Sequence, residues 1–215
     1  MARFVLVRHG QTEWNRVERF RGRADVPLND AGLMQAEATG RRVAEEWRLA
    51  AVYASPLGRA HVTAEAISLR CGLPVAPLAG VIDIDYGEWQ GLTPDEVASR
   101  WPDLLHGWYN TPHTVQIPGG ESLAGLRERA MSAICELAER HDNETIAVVS
   151  HTVINRVILL GILGLGNERF WRLRQDNCGI NVFEAAAGDF TLVTLNDTCH
   201  LRGVGVMSRR AAGTR

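Results

Sequence analysis

Residues 4–10 read FVLVRHG, an apolar run that stops abruptly at Arg8 and His9. A second run of the same form, IAVVSH, occupies residues 146–151 and ends at His151. Short continuous apolar runs are typical of buried strands in a parallel sheet. Because ligands of open α/β sheets bind beyond the carboxyl ends of the strands, we expect His9 and His151 to face one crevice.

Strand-like and helix-like segments alternate along the first half of the chain. Asn29 is expected to cap a helix, AVYA at residues 51–54 to form a second strand, and Ser55-Pro56 to begin another helix. A weak third strand is expected at residues 74–78. This order favours an α/β sandwich with a mostly parallel sheet.

The second half of the chain continues the pattern around an irregular segment. Thr93 is expected to start a helix through a capping box, and a long amphipathic helix to run from Ser122 to His141. Strands at residues 180–183 and 190–195 are expected to form a hairpin. We expect one domain over residues 1–202, with an irregular capping excursion at about 92–120 and a disordered tail at 203–215.

Composition narrows the classes of function. All 23 basic residues are arginine, which excludes a lysine-dependent phosphate loop, a Schiff base and a pyridoxal-phosphate site. The net charge of −2 gives no basic field for nucleic acid. The spacing of the four cysteines fits neither a zinc site nor a disulfide framework. We expect no metal and no cofactor.

Apolar stretches bear on cellular location. The run before Arg8 is too short for a signal peptide, and the longest stretch, at residues 157–165, is too short to span a bilayer. We therefore expect a cytoplasmic protein without membrane association.

Arginines cluster near the two histidine-ended strands. Arg59 lies in the first turn of the helix expected after residue 54, where a cation is unfavourable unless an anion binds. A solvated arginine is the alternative reading for this residue. The loop after His9 carries a further group of basic residues, which either steers an anionic substrate or is simply solvated: Arg16, Arg19, Arg21 and Arg23.

The chain resembles the histidine phosphatase superfamily, in its phosphoglycerate-mutase-like branch. The resemblance is carried by LVRHGQTEWN at residues 6–15 and continues through further motifs in the same order, to about residue 201. These motifs are SPLGRA at 55–60, GEWQG at 87–91, PGGES at 118–122, and SH at 150–151. The resemblance to this family implies a three-layer α/β/α sandwich.

The resemblance also implies a mechanism. His9 would attack phosphorus and form a phosphohistidine, while Arg8, Arg59 and His151 would surround the phosphoryl oxygens. Asn15 would donate a further hydrogen bond. No metal is needed, because phosphoryl transfer depends mainly on positioning and electrostatics.

The proton donor for the leaving group is where this chain departs from the family. The family usually has a glutamate four residues before the glycine of the GEW segment, and here that position is Asp83. We favour Asp83 as the acid, with Asp85 and Glu88 as the alternatives. A second departure is Thr152, where glycine often follows the second histidine.

Three functions fit this pattern. Only 27 residues, 92 to 118, separate Gly91 from Gly119, which is short for a mutase lid, so a phosphatase is favoured over a phosphoglycerate mutase. A phospho-ligand binding module without turnover is the third hypothesis. We expect a small phosphorylated metabolite as the partner and leave a homodimer open. The expected substrate-binding residues are Asn15, Arg21, Thr152, Trp89 and His113.

Overall fold

A six-stranded sheet lies at the centre of the structure, a computed structural model that describes residues 1–204. Its strands are β1 (Ala2–Arg8), β2 (Ala51–Ala54), β3 (Val75–Pro77), β4 (Thr145–Ser150), β5 (Ile180–Ala186) and β6 (Asp189–Asp197). In the order β3-β2-β4-β1-β5-β6, the first four strands run parallel, and β5 and β6 form an antiparallel hairpin beside β1. The mostly parallel sheet and the hairpin are confirmed.

Helices cover both faces of the sheet. The α-helices of residues 1–204 are α1 (Glu13–Arg16), α2 (Asp30–Glu46), α3 (Gly58–Cys71), α4 (Pro94–Arg100), α5 (Pro102–Asn110), α6 (Leu123–Arg140) and α7 (Thr152–Ile162). Alternate residues of β1 point to opposite faces. Val5 and Val7 pack in one core with α2 and α3, whereas Phe4 and Leu6 pack in another with α6 and α7. The result is the expected three-layer α/β/α sandwich.

Two expected helix starts are confirmed by their caps. The Asn29 side chain accepts a hydrogen bond from the Gly32 N–H at 2.9 Å, and α2 begins at the next residue. Thr93 and Glu96 form the expected capping box at the start of α4. These side chains satisfy backbone N–H groups that have no partner inside the helix.

The expected helix start at Ser55-Pro56 is wrong. The Ser55 N–H donates to the Val149 carbonyl at 2.9 Å, so the β2–β4 pairing continues through Ser55. Leu57 is extended and α3 begins only at Gly58. The Ser55 side chain is therefore available at the carboxyl end of the sheet instead of capping a helix.

The excursion expected at about 92–120 is not irregular, since it contains α4 and α5. Pro102 stands in the first turn of α5, where a missing N–H costs nothing, and the helix buries Leu105 and Trp108. The expected tail at 203–215 lies outside the described residues from 205 onward. Within residues 1–204, no helix is long and apolar enough to cross a membrane.

Candidate active site

Three neighbouring parallel strands end in the polar residues of the site. His9 follows β1, His151 follows β4, and Ser55 follows β2 on the other side of β4. The rings of His9 and His151 lie with their centroids 5.2 Å apart, and both residues are fully buried. The strand ends therefore bring together the two histidines that the sequence pattern placed in one crevice.

His9 is held in one orientation by its own loop. Its Nδ1 lies 2.6 Å from the Gly10 carbonyl oxygen, which can only accept, so the proton stands on Nδ1 and the lone pair on Nε2. A Cβ on Gly10 would lie 2.5 Å from the Gly32 carbonyl oxygen, so only glycine fits this close approach. Burial, followed by Arg59, holds the pKa of His9 well below its ordinary value. The ring is therefore neutral at neutral pH, with its proton on Nδ1 and Nε2 unprotonated.

His151 is oriented by Ser55. Its Nε2 lies 2.7 Å from Ser55 Oγ, and its Nδ1 lies 3.7 Å from Asp83 Oδ2. Burial, followed by Arg59, holds the pKa of His151 well below its ordinary value. When the Ser55 hydroxyl donates to Nε2, the neutral ring carries its proton on Nδ1, as a hydrogen-bond donor inside the site.

Arg59 is a fully buried cation at the start of α3. Its guanidinium donates to the carbonyls of Gly22 and Ala24 at 2.7 Å each and to Asp83 Oδ2 at 3.2 Å. These bonds fix a charge whose burial is otherwise costly. The alternative interpretation of Arg59 as a solvated surface residue is therefore wrong.

Arg8 is the second buried cation of the site. Its Nη1 donates to the Gln175 carbonyl at 2.7 Å, and it lines the pocket. Burial, followed by Arg21 and Arg156, lowers its pKa to about 9, so Arg8 remains charged at neutral pH.

Asp83 is the buried carboxyl group of the site. Its Oδ1 accepts from the Ile84 N–H at 3.0 Å, and its Oδ2 faces Arg59 and His151. The ion pair with Arg59 favours the charged carboxylate, yet burial has the larger effect and raises the pKa of Asp83. A carboxyl group with a raised pKa is suited to give a proton and take it back.

Asp85 and Glu88, the alternative acids, are placed differently. Asp85 accepts from the Gly87 N–H at 2.9 Å and lies 3.2 Å from Arg23, so its carboxylate supports the loop. Glu88 is exposed. Neither residue lines the pocket, whereas Asp83 does.

Several buried polar atoms of the site have no hydrogen-bond partner within residues 1–204. They are Arg8 Nε, His9 Nε2, Arg59 Nε, His151 Nδ1 and Thr152 Oγ1. Buried polar groups are seldom left without a partner in folded proteins. The donor groups among these atoms are suited to bind the oxygens of a phosphoryl group, and the unprotonated Nε2 of His9 is suited to contact its phosphorus.

Arg8 and Thr152 of this set line a pocket of about 760 Å³, whereas His9, Arg59 and His151 are not among its lining residues. Among its lining residues are Arg8 and Asp83, together with the expected substrate-binding residues Asn15, Arg21 and Thr152. Asn15 Oδ1 accepts from the Thr12 N–H at 2.8 Å, which leaves the amide NH₂ as the donor for a ligand. Within residues 1–204, no group of three or more His, Cys, Asp and Glu side chains is arranged to hold a metal ion.

The structure contradicts two expected substrate contacts. Trp89 is fully buried, with its ring centroid 5.2 Å from Phe20 and 6.1 Å from Trp108, so it packs in the core beneath the pocket. His113 is exposed and does not line the pocket. Sequence alone did not separate these cases, because an aromatic residue near a capping segment suits either a core or a pocket.

Trp89→Ala is expected to lower the free energy of unfolding by about 3–5 kcal/mol, because it empties a buried aromatic cluster. Urea denaturation followed by circular dichroism measures this. As the control, His113→Ala is expected to change the same quantity by less than about 0.5 kcal/mol. A Trp89 variant as stable as the wild type would contradict its place in the core.

Ser55 and Gln175 both support the site, and the sequence analysis predicted a role there for neither. Ser55 had a usable signal, since it directly follows the apolar run AVYA, as the histidines follow theirs. Gln175 had none, because it holds Arg8 through its main-chain carbonyl, which every residue type carries.

Comparisons with known proteins agree with this geometry. The family model described as "Histidine phosphatase superfamily (branch 1)" matches residues 4–198. Phosphoserine phosphatase 1 of Hydrogenobacter thermophilus is 36% identical over 98% of this chain and 100% of its own length. The metal-independent phosphoserine phosphatase of Arabidopsis thaliana is 34% identical over 95% of this chain and 85% of its own.

A solved structure also matches. The phosphoserine phosphatase of Entamoeba histolytica, solved as a mutant in complex with phosphoserine, superposes with a TM-score of 0.80. It is 28% identical, over 94% of this chain and 100% of its own. On the family match and these similarities, the chain belongs to the histidine phosphatase superfamily (branch 1).

Proposed function

We propose that this protein hydrolyses small phosphomonoesters through a phosphohistidine on His9, without a metal or cofactor. The observation that carries the proposal is the buried His9 Nε2, which is unprotonated, has no hydrogen-bond partner within residues 1–204, and lies among Arg8, Arg59 and His151. A neutral imidazole nitrogen held this way is a competent nucleophile.

In the first step, the lone pair of His9 Nε2 attacks phosphorus. The bond from phosphorus to the ester oxygen breaks, and protonated Asp83 gives its proton to the departing oxygen. The guanidinium groups of Arg8 and Arg59 and the Nδ1–H of His151 bind the phosphoryl oxygens, where negative charge must be held in the transition state. The products are an alcohol and phosphohistidine.

In the second step, water replaces the alcohol. The Asp83 carboxylate takes a proton from water as its oxygen attacks phosphorus, and the bond from phosphorus to His9 Nε2 breaks. Inorganic phosphate leaves, His9 recovers its lone pair, and Asp83 is protonated for the next cycle.

We propose phosphoserine as the first substrate to examine. The relatives at 36% and 34% identity are named phosphoserine phosphatases. The pocket wall carries both charge signs a phosphorylated amino acid would need, with Arg174 and Asp176 paired at 2.8 Å. The pocket volume of about 760 Å³ also admits larger leaving groups, so sugar phosphates belong in the same panel.

The test is phosphate release from a panel of esters in the presence of a chelator. The panel contains phosphoserine, 3-phosphoglycerate and sugar phosphates, and the expected result is release of phosphate that chelation does not reduce. Conversion of 3-phosphoglycerate to 2-phosphoglycerate without release would favour the mutase. Binding without either reaction would favour the non-catalytic module.

A cytoplasmic location is also proposed. The cysteines at 71, 135, 178 and 199 are unbridged, which suits a reducing compartment. Fractionation of the source cells, with detection by an antibody, tests this.

A further inference from the structure

The loop that carries Asp83 is fastened to helix α6 by one arginine. Arg129 Nη1 donates to the Gly80 carbonyl at 2.9 Å, and its Nη2 donates to the Asp83 carbonyl at 3.1 Å. One planar guanidinium therefore donates hydrogen bonds to two backbone carbonyls of this loop, and one of them belongs to the candidate acid itself. Arg129, Gly80 and Glu121 do not line the pocket, whereas Asp83 does.

Glu121 holds Arg129 in place. The Arg129 Nε donates to Glu121 Oε1 at 2.9 Å and its Nη2 to Glu121 Oε2 at 3.1 Å, which is the two-bonded arginine–carboxylate geometry. Both side chains are about three-quarters buried, with 23% of each exposed, so the pair is shielded from water. The guanidinium cannot turn away from the loop without breaking this pair.

Glu121 also fastens the far end of the loop. The Asp85 N–H donates to Glu121 Oε2 at 2.9 Å, and the Glu121 N–H donates to the Asp85 carbonyl at 2.9 Å. The backbone at residues 80, 83 and 85 is thus bonded to a single ion pair.

The loop and helix are also in close contact. A Cβ on Gly80 would lie 2.5 Å from Ala133 Cβ, so the absence of a side chain at Gly80 lets the loop approach α6 closely enough for Arg129 to reach it. Such an arrangement leaves the backbone at Asp83 little freedom to shift.

We propose that Arg129, held by Glu121, positions the Asp83 carboxyl group for proton transfer to the leaving oxygen. This role rests on the proposed function. Aspartate reaches one methylene less far than glutamate, so its side chain cannot make up for a displaced backbone. Misplacement of a reacting group by about 1 Å can cost about 100-fold in rate.

The test compares two kinds of leaving group. Phosphoserine releases a basic alkoxide that needs a proton, whereas p-nitrophenyl phosphate releases a stable phenolate that does not. In Arg129→Met, kcat/KM for phosphoserine is expected to fall about 10- to 100-fold. For p-nitrophenyl phosphate the change is expected to stay within about threefold, because His9 and its arginines are untouched.

Two further variants keep the test decisive. Glu121→Gln removes the two-bonded charge pair without changing side-chain size. We expect the same selective loss of kcat/KM for phosphoserine. If Arg129→Met does not fold, Glu121→Gln tests the proposal in its place. Arg127→Met is the matched control, since Arg127 lies on the same helix and donates to Leu165 at 2.6 Å, away from the loop. It is expected to leave both substrates unaffected.

Equal losses for both substrates, or no loss in the folded variants, would overturn the positioning role. A wild-type protein that turns over neither ester would instead contradict the proposed function, so the two failures are distinguishable.

Discussion

His9→Ala is expected to lower kcat/KM for every phosphomonoester by about 10,000-fold or more, because within residues 1–204 no other unprotonated nitrogen is placed to attack phosphorus. His151, the nearest candidate, uses its Nε2 in the contact with Ser55. The measurement is steady-state phosphate release with chelator present. Alanine also leaves the cationic groups in place, so binding of inorganic phosphate is expected to persist.

The matched control for this variant is His61→Ala. His61 lies on α3 with 41% of its side chain exposed, 3.5 Å from Glu65 and outside the pocket. It is expected to retain wild-type kcat/KM, and circular dichroism checks that both variants fold. Substantial turnover by folded His9→Ala would rule out a covalent intermediate on this residue.

Asp83→Asn is expected to lower kcat/KM for phosphoserine by about 100- to 10,000-fold, the usual contribution of a general acid. The asparagine amide oxygen still accepts a hydrogen bond from Arg59, but its N–H protons are not acidic enough to be transferred to the leaving oxygen. For p-nitrophenyl phosphate the effect on kcat/KM is expected to be much smaller. The pairing of the two substrates separates loss of the acid from general damage to the site.

The pH dependence gives a second signature of Asp83. Only the protonated carboxyl can donate, and its pKa is raised by burial, so kcat/KM is expected to fall as pH rises through that raised value. This decline is expected to be absent in Asp83→Asn. Both proteins are measured on the same substrate, so that the ionisation of the substrate affects the two profiles equally. If the variant keeps the decline and loses no more activity on phosphoserine than on p-nitrophenyl phosphate, another group is the acid.

The sequence pattern predicted the sheet and its polar strand ends well. Apolar runs ending at His9 and His151 define neighbouring parallel strands, and the geometry of such sheets places their ends together. The cap residues Asn29 and Thr93 bond to backbone N–H groups three residues away, so the starts of their helices could be predicted from a few adjacent residues. These features depend on short-range chemistry or on a general property of the fold.

Other features depend on tertiary contacts that no local pattern contains. Ser55-Pro56 has the chemistry of a helix start, but pairing with β4 extends the strand through Ser55. Trp89 and His113 both lie in or near the capping segment, and only packing shows that one is core and the other is exposed. The loop fastened by Arg129 joins segments far apart in the chain.

The most direct test of a covalent intermediate on His9 is a single-turnover trap of the phosphoenzyme. The protein is mixed with phosphorus-32-labelled phosphoserine, quenched within milliseconds in alkaline denaturant, and digested for peptide mapping. A phosphohistidine intermediate predicts label that is stable to base, lost in acid, and located on His9, as expected for a phosphoramidate. Turnover without any bound label, or label on a different residue, would contradict it.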